Sequence, residues 1–376
     1  MDVVAGLRAC ALASQALRTT AQSALMRTVS FASQRHAQAL FQVLQGNRDL
    51  ARAVVLLRVD GNPDHLGVPT GLLGEVSSIM PPIIRACDSL RQLDLLSLDI
   101  APLFQRHDVQ DVWWHCLSRT ITHATVQGCC FQTSHLVAII SAFQPLTHLA
   151  IKSNTRIEDE GAPLPRRSKT RRPITQQLTV ADNQAEWILS MNHRRLTRLN
   201  LNIDGFESVV YYNHILKEAP NLNHITITTY RTEDIDDDFQ VDLDCPKFNL
   251  DLSKCVQLRH LEVRFDLEGI FWQHCSLEPQ REFLTSYVMR MVRSACQTPS
   301  LCALRLCTES FDDTVVQKFP WSALAQMVTA GREKRSLKME LIVCQGGDIE
   351  GASECVQQVN AKLQQCAVGG MSCMVG

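Results

Sequence analysis

The sequence predicts an α/β fold, an irregular solenoid of short parallel strands joined by helices. Three observations predict it. A phrase of one leucine, two residues, an aliphatic, one residue and a second aliphatic recurs at Leu90/Leu93/Leu95, Leu146/Leu149/Ile151, Leu196/Leu199/Leu201, Leu222/Ile225/Ile227, Leu258/Leu261/Val263 and Leu301/Leu304/Leu306. Residues two apart on a strand share a face, so the last two aliphatics of each copy enter one core while the residue between them faces outward. Helical patterns precede most copies. The junctions are punctuated by QPL at 144–146, APNL at 219–222, TPSL at 298–301, and a cysteine three positions ahead of the leucine in CDSL and CVQL. Proline cannot continue a helix and biases the preceding residue to extended geometry, so these marks separate helix from strand.

Taken in order, the chain opens on LRACALASQALRTTAQSALMRTVSF, residues 7–31, with no Asp or Glu between Asp2 and Asp49. One continuous helix would align Leu7, Cys10, Ser14, Leu17, Ala21 and Leu25 but bring Arg18 into the apolar stripe. Two short helices broken near Arg18, Thr19 and Thr20 fit better, the second burying Ala21, Ala24, Leu25 and Thr28. Helical pieces at Phe41–Leu44 and Asp49–Ala53 then lead into a strand over Val54–Val59. Further helices are expected over Val109–Arg119, Ser134–Phe143, Gln184–Met191, Phe206–Glu218 and Glu282–Ala295, with a weaker strand copy at Ile121/Ala124/Val126. Steps of about 25 to 50 residues suit a solenoid carrying insertions. An ordinary doubly wound α/β domain accommodates the same alternation.

With 45% apolar residues in 376, the chain supports a large buried core. Its 37 basic and 39 acidic residues give a net charge of -2, which offers no general pull toward nucleic acid or anionic membranes. Neither partner is expected. Fifteen cysteines, an odd number without a C-x-x-C pair, read as reduced thiols of the cytoplasm or nucleus. Cys129, Cys130, Cys302 and Cys307 sit among apolar residues, as small hydrophobes do. The longest apolar runs, Ala53–Leu57 and Leu136–Ile140, are far shorter than the roughly 20 residues of a transmembrane helix.

Two charged insertions stand out. APLPRRSKTRRP at 162–173 is a basic loop, read either as a solvated connection or as a phosphate-binding or nuclear-localisation patch. TEDIDDDFQVDLD at 232–244 is its acidic counterpart. Neither a phosphate loop nor any G-x-G-x-x-G, H-E-x-x-H or G-x-S-x-G motif occurs, so no catalytic residue, cofactor or metal is expected. His115 and Cys116 in VWWHC, with His123 nearby, read as core rather than as ligands.

Outward strand positions carry the functional reading. In-register strands would align Gln92, His148, Arg198, His224, His260 and Ala303 in one column, and Asp94, Ala150, Asn200, Thr226, Glu262 and Arg305 in the next. The expected partner-binding face is His148, Arg198, Asn200, His224, Thr226, His260, Glu262 and Arg305; a merely solvated sheet face is the alternative.

The recurring phrase resembles the leucine-rich repeat, L-x-x-L-x-L-x-x-N. Of the six copies, Leu146–Asn154 carries the asparagine. The order of elements, together with the N-terminal segment, resembles fungal F-box and leucine-rich-repeat-like proteins. Leu7, Cys10 and Leu12 match the family's second F-box helix, with Ala13, Ser14 and Leu17 in place of valine, cysteine and tryptophan. Leu25, Met26, Arg27 and Val29 match the phrase that follows.

The resemblance implies a helical remnant over residues 1–50 and a repeat array over 51–376, with insertions near 155–180 and 231–248. It implies that Leu7, Cys10, Leu12, Leu17, Leu25 and Met26 face a Skp-type adaptor, and that a protein partner sits on the concave face of this cullin-RING ligase receptor. The family's first helix, opened by a Leu-Pro phrase, would lie upstream of Met1. Alternatives are a repeat scaffold without a ubiquitin link, a mitochondrial matrix protein whose acid-poor N-terminus is a presequence, and an α/β enzyme with a site assembled from distant residues.

Overall fold

The computed structural model describes residues 15–62, 69–100, 120–143, 145–152, 155–157, 175–181, 188–189, 191–203, 209–229, 249–265, 277–308, 319–334, 337–343, 356–362 and 371–375. The chain is α/β with parallel strands, and it divides into two compact units. The first is Met1–Thr175 with Ser190–Asn192; the second is Gln176–Leu189 with His193–Gly376.

The first unit holds helices α1 (Gln15–Met26), α2 (Gln34–Gly46), α3 (Arg48–Ala53), α4 (Leu72–Val76), α5 (Met80–Ala86) and α6 (Thr133–Ala142). Its main sheet runs β1 (Thr28–Phe31), β2 (Leu56–Asp60), β3 (Gln92–Leu96), β4 (His123–Gln127) and β6 (His148–Ile151), all parallel. A small parallel pair joins β5 (Cys130–Phe131) to β7 (Arg156–Ile157). In the second unit, β8 (Gln177–Ala181), β9 (Arg198–Ile203), β10 (His224–Thr229), β11 (His260–Phe265), β12 (Ala303–Thr308), β13 (Lys338–Val343) and β14 (Met371–Val375) pair in chain order, again in parallel. Its described helices are α7 (Val209–Glu218), α8 (Leu277–Cys296), α9 (Trp321–Lys334) and a short run at 356–362.

The sequence phrase maps onto this arrangement in register. In the first unit Val29, Leu57, Leu93, Ala124 and Leu149 form one inward column, and Phe31, Val59, Leu95, Val126 and Ile151 the next. In the second unit Leu199, Ile225, Leu261 and Leu304 form one, and Leu201, Ile227, Val263 and Leu306 the other. All are buried. At about 1.5–3 kcal/mol for each large aliphatic side chain taken from water, these columns dominate the core. The leading residue of each copy, Val54, Leu90, Ile121, Leu146, Leu196, Leu222, Leu258 or Leu301, is also buried.

The punctuation works through the backbone. Three positions before the leading residue sit Ala51, Cys87, Phe143, His193, Ala219, Cys255 and Thr298, all buried. The first six of them accept the leading residue's N–H in a tight turn: Val54, Leu90, Leu146, Leu196, Leu222 and Leu258 donate at 2.9–3.3 Å for the pairs Val54–Ala51, Leu90–Cys87 and Leu146–Phe143, among others. Cys87 and Cys255 are thus small buried anchors of a turn. Burial pushes their thiols up to about 12, as it does that of Cys129.

Each strand then begins on a shared carbonyl. Arg27 O accepts the N–H groups of Val55 and Leu56, Val55 O those of Arg91 and Gln92, Arg91 O those of Thr122 and His123, and Thr122 O those of Thr147 and His148. In the second unit, Gln176 O, Thr197 O, Asn223 O and Arg259 O receive the N–H pairs Thr197/Arg198, Asn223/His224, Arg259/His260 and Cys302/Ala303 in the same way.

Beyond β2, β3, β4 and β6 the chain reaches a second, shorter strip. Thr70 bridges Leu98 and Asp99 bridges Cys130, continuing into β5–β7. Ser97, at φ 51°, and Gly128, at φ 62°, make the corner. Gly61 lies so close to it that a Cβ there would collide with the Ser97 carbonyl and the Thr70 hydroxyl. Eight positions after the leading residue stand Asn62, Leu98 and Cys129; Cys129 is buried and its thiol donates toward Leu95 O at 3.4 Å.

Several expectations are corrected. Helix α1 runs unbroken through Arg18, Thr19 and Thr20: Arg18 and Thr20 are exposed while Ala21 is buried, so the arginine interrupts no apolar stripe. Thr28–Phe31 is a strand, not the end of a helix; pairing with β2 outweighs the helical spacing of Ala21, Ala24, Leu25 and Thr28, of which only Ala21 is buried. Strands β8, β13 and β14 were not expected, since Thr175 and Ser336 stand where β8 and β13 would carry the leading leucine. The expected helix at 109–119, the insertions at 162–173 and 232–244, and most of the expected helix at 184–191 lie outside the described residues.

A slip of one residue in register would exchange the two faces of every strand. Leu199→Ala should therefore cost about 2–5 kcal/mol and Asn200→Ala less than about 0.5 kcal/mol, read from urea unfolding midpoints. The reverse order would contradict the register.

Candidate recognition face

Alternation along each strand leaves a row of side chains facing away from the aliphatic columns. Register converts these rows into ladders. In the first unit Gln92, His123 and His148 stand side by side, followed by Arg58, Asp94, Thr125 and Ala150. In the second unit the first ladder is Gln177, Arg198, His224, His260, Ala303 and Lys338, and the next is Thr179, Asn200, Thr226, Glu262, Arg305 and Glu340.

The two histidines of the first unit's ladder, His123 and His148, are held alike. The Thr122 hydroxyl donates to Arg91 O at 3.3 Å and lies 2.8 Å from His123 Nδ1; the Thr147 hydroxyl donates to Thr122 O at 3.0 Å and lies 2.7 Å from His148 Nδ1. Each Nδ1 is thus held against a threonine hydroxyl in the same way at two successive strand starts. The rings stack with centroids 4.0 Å apart and planes 10° apart. Among the described residues no group of three or more His, Cys, Asp or Glu converges to hold a metal.

Beside them Asp94, 4% exposed, accepts from Arg58 at 3.2 Å and from the Gln92 amide at 3.1 Å. A buried carboxylate without such donors would be expensive to desolvate.

The second unit carries a chain of alternating charges. Arg305 donates to Glu340 at 2.9 and 3.0 Å and approaches Glu262 at 3.5 Å, while Arg264 donates to Glu262 at 2.6 Å. Exposed pairs of this kind contribute about 0–1 kcal/mol to stability, so their main effect is to hold the side chains in place. Asn200 donates to the Thr179 hydroxyl at 3.1 Å. His224 and His260 lie with ring centroids 5.7 Å apart.

The expected face residues all occupy outward positions. His148 lies in the first unit; Arg198, Asn200, His224, Thr226, His260, Glu262 and Arg305 lie together in the second. Arg198, Asn200, His260 and Arg305 are exposed, and His148, His224, Thr226 and Glu262 half-buried. Sequence reading missed His123, which it put with the core. The weaker strand copy Ile121/Ala124/Val126 is the signal that places it outward. Glu340 was missed along with its strand.

Of the expected adaptor-facing residues, Leu25 and Met26 end α1 half-buried. Leu17 lies within α1, and Leu7, Cys10 and Leu12 lie outside the described residues, as do His115 and Cys116. No helix among the described residues is long and apolar enough to cross a membrane. No protein-family model matches the chain, and no curated protein matches it.

His224 sits below its ordinary value of 6.5, first because burial penalises the charged ring, then because Arg198, His260 and Arg305 oppose it; Glu262 pulls the other way. A depressed folded value means that the unfolded chain takes up the proton first, so the contribution is intact above pH 6.5 and lost as pH falls below it. His224→Gln should flatten this loss of thermal stability between pH 7.5 and 5.5. An unchanged slope would count against it, as would an NMR titration of the wild-type ring at or above 6.5.

Proposed function

We propose that this chain is a non-catalytic recognition protein, an irregular leucine-rich-repeat-like solenoid whose outward strand face holds a protein partner. The observation that carries the reading is the in-register ladder of the second unit, where arginine, histidine, asparagine, threonine and glutamate side chains stand on successive parallel strands. A rigid sheet with fixed polar side chains binds without the entropic cost of ordering a loop. The repeated strand start and Cys129 at the place where the repeat family has asparagine or cysteine support the leucine-rich-repeat reading.

The N-terminal segment serves as an end cap, since β1 follows directly from α1 and pairs with β2. Under the F-box reading, Leu7, Cys10, Leu12, Leu17, Leu25 and Met26 face a Skp-type adaptor and the captured partner is presented to a cullin-RING ligase. The second reading is a repeat scaffold with no ubiquitin link. Its support is Val29, matched to the F-box phrase, which is 7% exposed inside strand β1 and so is used by the sheet. A cytoplasmic or nuclear location accords with the free, buried thiols of Cys87, Cys129 and Cys255.

Two measurements test this. The tagged chain, purified from its own cells, should retain a protein that is lost on Arg198→Glu/Arg305→Glu with an unchanged melting temperature; identical sets of retained proteins would contradict the recognition face. Co-purification of the Skp-type adaptor selects the ligase reading, and its absence selects the scaffold.

A further inference from the structure

The first outward ladder of the second unit, from Gln177 through Arg198, His224, His260 and Ala303 to Lys338, contains no carboxylate. Neighbouring strands stand about 4.8 Å apart, so Arg198 on β9, His224 on β10 and His260 on β11 follow one another as closely as side chains can. The two rings have centroids 5.7 Å apart. Arg198 is exposed and forms no ion pair or side-chain hydrogen bond among the described residues. His224 is half-buried, and its Nε2 shares a 3.5 Å contact with the Thr226 hydroxyl, leaving the second ring nitrogen without a hydrogen-bond partner among the described residues.

The carboxylates of this face are engaged further along the sheet. Glu262 on β11 accepts from Arg264 at 2.6 Å and stands 3.5 Å from Arg305, and Glu340 on β13 accepts from Arg305 at 2.9 and 3.0 Å. On β9 and β10 the remaining outward positions are Asn200, Asn202, Thr226 and Thr228, all uncharged. Arg198 therefore has no counterion on its own strand or on the next. His224 registers the imbalance: burial first, then Arg198 and His260, and last Arg305, hold the ring below its ordinary value of 6.5, while Glu262 pulls the other way. A ring kept neutral in this way takes up a proton when an anion arrives, and by reciprocity binds that anion more tightly once protonated.

Resting on the reading of this face as a recognition surface, we infer that the protein partner places a carboxylate of an acidic segment between Arg198 and His224, and that the contact strengthens as pH falls. Arg198 supplies a fixed positive charge and His224 one that comes with a proton. Glu262 and Glu340 stand in the adjoining row, so a polyanion laid across the strands meets them. A single carboxylate over β9 and β10 meets neither, which favours an acidic side chain over a polyphosphate.

The test uses the full chain and a rhodamine-labelled decapeptide alternating glutamate and serine, whose carboxylates, ordinarily at about 4.3, stay ionised down to pH 5.5. Saturable binding is expected, tightening about fivefold or more from pH 7.5 to 5.5. Arg198→Gln should weaken it at both pH values, and His224→Gln should remove most of the pH dependence. His224→Asn, with melting temperatures compared at pH 7.5, guards against a folding defect and should act in the same direction. Four results overturn the inference: no saturable binding, the same pH dependence in the wild type and both His224 variants, equal weakening by Lys217→Gln on the helix side, or tripolyphosphate binding more tightly than the peptide. If any of these accompanies a retained protein that is lost on Arg198→Glu/Arg305→Glu, this inference falls and the recognition face stands. Identical sets of retained proteins remove that face, and this inference with it.

Discussion

One backbone carbonyl, shared by two consecutive N–H groups of the next strand, is the contact on which the rest of each unit depends. It recurs four times in the first unit, at Arg27, Val55, Arg91 and Thr122, and four times in the second, at Gln176, Thr197, Asn223 and Arg259. Parallel pairing has no hairpin to set its register, so something at the strand start must. Fixing two N–H groups on one oxygen does this, and every later pair in the ladder follows. The aliphatic columns then close on the inner face, while polar side chains are left on the other. Threonine reinforces the contact: the hydroxyls of Thr122, Thr147 and Thr197 donate to the same carbonyls that their own N–H groups use.

This arrangement ties the outward face to folding. An outward side chain is held where it is by aliphatic neighbours one residue away on either side, so Asn200 inherits the rigidity of Leu199 and Leu201, each 0% exposed. The stacked rings of His123 and His148 arise in the same way. Two equivalent threonines at equivalent strand starts impose the same ring orientation, and the spacing of neighbouring strands brings the rings to van der Waals contact. The charged ladder through Glu262, Arg305 and Glu340 needs three strands in register before it can exist at all.

How much of this was legible in the sequence depends on whether side chains or backbone carry the information. The aliphatic pairs of β3, β6, β9, β10, β11 and β12 were legible because burial demands a residue type, and the outward ladder followed from period two. The shared carbonyls were not, since Arg27, Val55, Arg91 and Thr122 have no side-chain property in common. Strands β1, β8 and β13 escaped because Met26, Thr175 and Ser336 replace the leading leucine. Helical spacing of Ala21, Ala24, Leu25 and Thr28 competed for β1, and pairing with β2 decided the outcome.

Residue-resolved amide hydrogen exchange of the full chain bears most directly on the shared strand start. The amides of His123 and His148 in the first unit, and of Arg198, His224, His260 and Ala303 in the second, each donate to a shared carbonyl. They should exchange slowly and at similar rates within each unit, despite the half-buried or exposed side chains they carry. Exchange at these positions as fast as at exposed turn amides such as Asn221 would contradict the account, because the register, the inner columns and the outward ladder would then lack the contact that sets them.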